Sequence, residues 1–289
     1  MSAFVDLTWR GEGGLALYAR DYAGSGGPAR SPVICIHGLT RNSGDFEDVA
    51  PWIAAQGRRV IAVDVRGRGR SERDPDPARY HPKVYAQDVL QLLDQAGIAR
   101  AVFIGTSMGG IITMAIAFKR LSAIGGAVLN DVGPVISMKG LERIKGYVGK
   151  GRPLESWDDA AAYIKSINES AFPENTPADW MTWARRTFRE EAGRIVLDYD
   201  PKIAAAIQGA KLKPTSLAAK LLYRRLARNR PTLLIRGANS DIVGAEEAQY
   251  MQRSAPGLKY AEVPGVGHAP MLTEPAARDA LSSFLASVA

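Results

Sequence analysis

Residues 105–109 read Gly-Thr-Ser-Met-Gly and directly follow the short apolar run 101–104. A serine between two glycines, after a strand and before a long apolar helix, lies on a tight turn that exposes its hydroxyl group. The positive end of that helix would face an oxyanion formed beside the serine. The pattern also fits a plain turn in which Ser107 caps the helix. The motif alone therefore does not distinguish a nucleophile from a capping residue, and the distinction depends on whether the chain also supplies a base and an acid.

A serine nucleophile needs a base, and the chain has three histidines. His268 follows the last predicted strand in the Gly-rich segment 263–268. Open α/β sheets meet their ligands at the carboxyl ends of strands, so this loop is well placed for a base. His37 and His81 precede Ser107 and do not fit the hydrolase chain order of nucleophile, acid and base. We therefore predict that His268 is the base.

The base in turn needs a carboxylate that orients its ring, and two aspartates are candidates. Asp241 lies in the turn 237–241 after the predicted strand 232–236. Asp131 lies after the preceding strand, at the same predicted sheet edge. Aspartates often stabilise turns without any catalytic role, and this applies to both. The order Ser107, Asp241, His268 is the one found in hydrolases. We favour Asp241 as the acid, with Asp131 as its competitor.

These residues have to be positioned by an alternation of strands and helices. Short β-branched runs bounded by Gly or Pro predict strands, and longer periodic runs predict helices. The strands are predicted at 5–8, 15–20, 32–37, 59–64, 101–104, 127–130, 232–236 and 260–263. The helices are predicted at 45–56, 82–96, 107–120, 246–254 and 274–288. This alternation indicates an α/β fold, a mostly parallel sheet with helices on both faces.

The alternation breaks from residue 134 to residue 230, where the pattern is helix-rich, shows no convincing strand and is divided by prolines. We interpret this stretch as a helical cap, or lid, inserted into a core domain formed by residues 1–133 and 231–289. The cap carries 18 Lys and Arg but 11 Asp and Glu, a surplus as large as the whole net charge of +7. Because basic and acidic residues are interspersed, a solvated surface is predicted and not a nucleic-acid interface.

Composition places the chain among ordinary globular proteins, with 46% hydrophobic and 23% charged residues. Neither a leader pattern nor an apolar run long enough to span a membrane is evident, so a cytoplasmic protein without membrane partners is expected. The single cysteine, Cys35, lies in an apolar run and is predicted to be a buried free thiol. The sequence does not indicate the oligomeric state.

Five motifs together resemble the α/β-hydrolase fold family over nearly the whole chain. They are the segments 35–40 (CIHGLT), 64–71 (DVRGRGRS), 105–110 (GTSMGG), 237–243 (GANSDIV) and 265–268 (GVGH). The resemblance implies an eight-stranded, mostly parallel sheet and a cap inserted after the sixth strand. It also implies that the backbone N–H groups of Leu39 and Met108 form the oxyanion hole. The segment 64–71 is, by the same resemblance, a structural turn.

The implied reaction is acyl transfer to Ser107 followed by hydrolysis, with His268 as base and acid and Asp241 fixing its tautomer. We predict a serine hydrolase that cleaves a small or medium carboxylic ester, without a metal or an organic cofactor. The alternatives are a lactonase, a carbon–carbon bond hydrolase, a perhydrolase or haloperoxidase-like enzyme, or a ligand-sensing protein that retains the triad. The segment 39–43 lacks the glycine-rich oxyanion loop typical of the carbon–carbon hydrolases, which weakens that alternative.

Substrate choice is expected to depend on the cap. Its aromatic residues either line a pocket or pack the cap helices onto one another, and for any single residue packing is the commoner outcome. The residues concerned are Tyr147, Trp157, Phe172, Trp180 and Trp183. Arg41, just after the predicted oxyanion turn, is either a solvated surface residue or a partner for a substrate carboxylate.

Overall fold

The structure is a computed structural model that describes residues 4–25, 30–151, 153–205 and 215–288. The described residues form ten strands. They are β1 (Val5–Arg10), β2 (Ala16–Tyr22), β3 (Val33–Ile36), β4 (Val60–Asp64), β5 (Ala101–Thr106), β6 (Ile124–Asn130), β7 (Phe188–Glu191), β8 (Arg194–Leu197), β9 (Thr232–Gly237) and β10 (Lys259–Val263).

Eight of these strands form one sheet in the order β1-β2-β4-β3-β5-β6-β9-β10. Strand β2 pairs antiparallel with both of its neighbours, and the pairs from β4 to β10 are all parallel. Each predicted strand is present, with its ends shifted by up to three residues. The predicted α/β class with a mostly parallel eight-stranded sheet is confirmed.

The described residues also form nine α-helices. They are α1 (Val49–Ala54), α2 (Pro82–Gln95), α3 (Met108–Lys119), α4 (Met138–Tyr147), α5 (Trp157–Asn168), α6 (Pro177–Thr187), α7 (Leu217–Ala227), α8 (Ala245–Ser254) and α9 (Pro275–Ala286). The predicted helix 45–56 is instead a 3-10 turn at Ser43–Phe46 followed by the short α1. No helix among the described residues has the length and apolar character needed to cross a bilayer.

Helices cover both faces of the sheet because its central strands are buried on both sides. Strand β3 is fully buried, and its residues alternate between two apolar layers. Ile34 and Ile36 pack with α2, α3 and α8, whereas Val33 and Cys35 pack with α1 and α9. The predicted buried free thiol of Cys35 is thus found in the core, and burial raises its pKa.

The inserted stretch contains helices α4 to α7 and, against the sequence prediction, an antiparallel hairpin of β7 and β8. Strand β7 follows α6 directly, and its four residues, Phe-Arg-Glu-Glu, lack the alternation of apolar and polar side chains that marks a strand. The charged residues of this segment therefore favoured the interpretation as a helix surface. Helix α7 packs on α3 of the core through Tyr223 and Leu226. The proposed boundaries 134 and 230 remain a prediction, and residues 152 and 206–214 lie outside the described residues.

Part of the inserted stretch, the predicted cap, packs around a further apolar cluster. Phe172, Trp180 and Trp183 form an apolar cluster with α5 and the hairpin. Trp183 stacks on Trp180 and meets the edge of Phe172 at right angles.

The inserted stretch is joined to the core by apolar packing, since Val148, Tyr199 and Ile203 belong to the same apolar cluster as α2 and α3. It is also joined by polar contacts, such as the 2.8 Å hydrogen bond from Asn42 Nδ2 to Asp198 Oδ2. Tyr147 and Tyr199 line a cavity together with Thr106, the last residue of β5, so the inserted stretch lies over the carboxyl end of this central strand.

Candidate active site

Ser107 lies on the turn between β5 and α3, as predicted, and its backbone has φ 52° and ψ −113°. Positive φ is costly for a residue with a side chain, so the surrounding backbone must hold it there. The flanking glycines are required by close approach. A Cβ on Gly105 would lie 2.4 Å from the Gly109 carbonyl carbon, and one on Gly109 would lie 2.0 Å from the Ile36 carbonyl oxygen. The turn therefore presents Ser107 above the sheet.

His268 lies on the loop after β10 and contacts Ser107 directly. Its Nε2 lies 2.9 Å from Ser107 Oγ, and its Nδ1 lies 2.8 Å from Asp131 Oδ2. An ionised carboxylate only accepts hydrogen bonds, so the neutral ring carries its proton on Nδ1 and donates it to Asp131. Nε2 is then free to accept from the serine hydroxyl, which is the arrangement of a nucleophile with its base.

Asp131 directly follows β6 and is fully buried beneath His268. Besides the histidine, its carboxylate accepts a 2.6 Å hydrogen bond from Ser240 Oγ and a 3.3 Å one from the backbone N–H of Gly237. Three donors thus fix the carboxylate and, through it, the plane of the His268 ring. The sequence did not predict the hydrogen bond from Ser240 to Asp131. The signal that could have indicated it is the position of Ser240 next to Asp241.

The choice of Asp241 as the acid does not agree with this geometry. Asp241 does lie at the predicted sheet edge, but its carboxylate is paired with the cap residue Arg143, at 2.5 Å from Nε and 2.8 Å from Nη2. Burial opposes its ionisation, but the hydrogen bond and charge of Arg143 prevail and lower the pKa of Asp241. The turn after β9 turns Ser240 toward the histidine's partner and Asp241 toward the cap. Asp131, the weaker candidate on sequence, takes the position beside the ring.

Leu39 lies on the loop after β3 and lines the same cavity as Ser107, and Met108 is the first residue of α3. Within the described part of the chain, neither of their backbone N–H groups donates to a protein acceptor. One fully buried arginine, Arg68, contacts both residues. Its Nε donates to the Leu39 carbonyl at 3.0 Å, and its Nη2 lies 3.6 Å from Met108 Sδ. The segment 64–71 thus does more than form the expected turn, because it also supports the two predicted oxyanion-hole residues.

The loop that carries Leu39 is also held by His37. The ring Nδ1 donates to the Gly38 carbonyl at 2.6 Å, and Nε2 accepts from the Val65 N–H at 3.0 Å. Complete burial lowers the pKa of His37 to about 4. The ring is therefore neutral at physiological pH and serves as a fixed hydrogen-bonding group.

Because of the buried His37, the free energy of unfolding is expected to decrease as the pH is lowered. Between pH 6.5 and 4 the unfolded chain binds a proton at His37 that the folded chain does not, so stability is lost as pH falls. For a pKa of about 4 against 6.5 unfolded, roughly 2 kcal/mol is lost between pH 7.5 and 5. Urea unfolding of wild type and His37→Gln at both pH values measures this. The variant should lose less stability on acidification, and an equal loss in the two proteins would contradict the prediction.

Ser107 and His268 open into a cavity of about 110 Å³ between the sheet edge and the cap. Of the aromatic cap residues singled out above, Tyr147 and Trp183 line it. Phe172 and Trp180 instead pack inside the cap, and Trp157 lies against the guanidinium of Arg185. Arg41 also lines the cavity, but it is not a solvated surface residue, since its side chain is 13% exposed and paired with Asp45. Over the described ranges, no three side chains of His, Cys, Asp or Glu converge as metal ligands would.

Comparison with known proteins agrees with the fold. A family model described as alpha/beta hydrolase fold matches residues 31–275, and the chain belongs to this family. It is 34% identical to a 3-hydroxybutyrate-oligomer hydrolase of Cupriavidus necator over 90% of each chain. It is 27% identical to a 2-(acetamidomethylene)succinate hydrolase of Mesorhizobium japonicum over 82% of this chain and 81% of the relative. The crystal structure of an alpha/beta hydrolase from Novosphingobium aromaticivorans is similar with a TM-score of 0.92, at 41% identity over 99% of each chain. The protein therefore belongs to an enzyme family, and two of its relatives are named hydrolases.

Proposed function

We propose that the protein is a serine hydrolase that cleaves small carboxylic esters through an acyl-enzyme intermediate. The observation that carries this proposal is the continuous hydrogen-bonded series from Ser107 Oγ through His268 to Asp131, at 2.9 and 2.8 Å, on the floor of a cavity. The same three groups perform acyl transfer on several unrelated folds. Asp131 takes the role for which the sequence favoured Asp241.

In the proposed reaction, Ser107 Oγ attacks the ester carbonyl carbon while His268 Nε2 takes the hydroxyl proton. The carbonyl oxygen becomes an oxyanion and accepts hydrogen bonds from the backbone N–H groups of Leu39 and Met108. His268 then returns the proton to the leaving alcohol, and the acyl group stays on the serine. A water molecule, deprotonated by His268, attacks this ester, and the carboxylic acid leaves as Ser107 regains its proton. Asp131 stabilises the imidazolium in both halves of the cycle.

Esters of short hydroxy acids are the substrate class with the best support. The relative with 34% identity over 90% of each chain is named a 3-hydroxybutyrate-oligomer hydrolase, and such an oligomer is a chain of short esters with a free carboxylate at one end. The small cavity and its mixed lining of tyrosines and aliphatic residues suit a short acyl group next to polar ester oxygens. We therefore propose short oligoesters as substrates ahead of long-chain lipids.

The proposal is tested by labelling and turnover together. A fluorophosphonate should add to Ser107 in the native protein, and the mass shift should be confined to the peptide that contains residue 107. Protein unfolded in denaturant should not be labelled. Native protein should also hydrolyse p-nitrophenyl esters from acetate to decanoate with an optimum at short chains. Absence of labelling at Ser107 would contradict the mechanism. Labelling without ester turnover, beside activity on lactones or none at all, would favour the lactonase or ligand-sensing alternatives.

A further inference from the structure

Two arginines line the cavity that contains Ser107, and their hydrogen bonding differs. Arg41 is occupied at every nitrogen, because Nε and Nη2 donate to Asp45 and Nη1 donates to Thr187. One face of its guanidinium also lies over the Trp183 ring, 5.4 Å from the centroid. Arg41 is thus a structural link between the loop after β3 and the cap.

Arg143, on cap helix α4, is occupied on one side only. Its Nε and Nη2 donate to the two oxygens of Asp241. Over the described ranges, Nη1 donates to no carboxylate or carbonyl group. A guanidinium offers a second pair of parallel N–H groups, one each from Nη1 and Nη2, and this pair matches the two oxygens of a carboxylate. In Arg143 that second pair is not taken by any described carboxylate.

The surroundings of Arg143 favour a ligand on its cavity side. Tyr147, one turn further along α4, lines the same cavity and has its hydroxyl group near the guanidinium. The hydrogen bond to Asp241 raises the pKa of Arg143 above its ordinary value, so the group is charged at physiological pH. Its side chain keeps 28% exposure despite the ion pair. The group is both held in place and open to the cavity.

We propose that Arg143 binds a free carboxylate of the substrate, so that the enzyme selects esters that carry a negative charge near the scissile bond. This inference rests on the proposed function for the position of the ester over Ser107. Asp241 is then a positioning residue, which holds the guanidinium against the sheet edge and turns its second donor pair toward the cavity. The carboxylate would be bound by two parallel N–H···O bonds, with Tyr147 as a neighbouring donor.

The inference is tested by comparing the hydrolysis of 3-acetoxybutanoate with that of its N-methylamide. The two substrates differ only at the carboxylate, and the release of acetate measures the rate for each. Wild type should prefer the acid by about tenfold to a hundredfold in kcat/KM, the expected worth of a charge-assisted pair. Arg143→Met should bring the ratio of the two kcat/KM values close to one. Arg143→Lys should retain part of the preference, because it keeps the charge and loses the paired donors. Asp241→Asn should lower the ratio mainly by raising KM for the acid.

Arg186 provides a matched control for the loss of an ion pair between cap and core. It also lies in the cap and pairs with Asp48 at 2.7 Å, but it is not part of the cavity lining. Arg186→Met should keep the wild-type ratio. A wild-type ratio near one, or an unchanged ratio in Arg143→Met, would overturn the inference about Arg143 and leave the proposed esterase function intact.

A separate binding measurement covers the case in which no ester is cleaved and the proposed function itself fails. Calorimetric titration of 3-acetoxybutanoate into Ser107→Ala, and into Ser107→Ala combined with Arg143→Met, does not depend on turnover. Binding at least about tenfold weaker to the double variant would support the role of Arg143. Equal binding, or no binding to either protein, would refute it.

Discussion

Replacing Ser107 by alanine is expected to lower kcat for p-nitrophenyl butyrate by about 10⁶-fold, the loss measured when the nucleophile of another serine hydrolase is removed. The reason lies in the contact between Ser107 Oγ and His268 Nε2, because alanine leaves the base intact but gives it no hydroxyl to activate. The fold should be preserved, because alanine keeps the Cβ and the Ser107 side chain makes no capping hydrogen bond to the backbone of α3. Initial rates of the purified variant, corrected for spontaneous hydrolysis, measure the effect.

Ser240→Ala is the matched control for this experiment. Its hydroxyl group also belongs to the site, but it donates to Asp131 and does not face His268 Nε2. Asp131 keeps its hydrogen bonds to His268 and to the Gly237 N–H when this hydroxyl is lost, so the rate should fall far less than in Ser107→Ala. Turnover by Ser107→Ala within a hundredfold of wild type, in a preparation free of contaminating hydrolase, would exclude Ser107 as the nucleophile.

The sequence predicted where Ser107 and His268 lie because local pattern determines both positions. Gly105 and Gly109 are needed wherever a strand turns so tightly into a helix, and their spacing around Ser107 is visible without any tertiary information. The Gly-rich loop before His268 likewise follows a strand whose place in the sheet is set by the α/β alternation. The sheet itself was predictable for the same reason, since buried strands carry their own apolar signature.

The acid could not be chosen in this way because the decision depends on the direction of side chains. Asp131 and Asp241 follow the neighbouring strands β6 and β9, so both reach the same sheet edge. Asp131 lies on backbone with φ 56°, which a sequence pattern does not reveal. The partner of Asp241 is Arg143, about a hundred residues away in the cap. Long-range contacts of this kind also explain why the role of Arg68 beside Leu39 was missed, although its motif was recognised.

Asp131→Asn is expected to lower kcat on the neutral p-nitrophenyl butyrate by about 10⁴-fold, the cost of the equivalent change in a well-studied triad. When the asparagine oxygen takes the place of Oδ1 and accepts from the Gly237 N–H, the amide group takes the place of Oδ2 and faces Ser240 Oγ and His268 Nδ1. An amide donor there favours the tautomer with its proton on Nε2, and that nitrogen then donates to Ser107 instead of accepting its proton. Asp241→Asn should cost less than about tenfold on the same ester, since Asp241 contacts Arg143 and not the histidine. If Asp241→Asn proved the costlier change, the hydrogen bond between Asp131 and His268 would not be the one that matters for turnover, and Asp131 would be a buried structural aspartate.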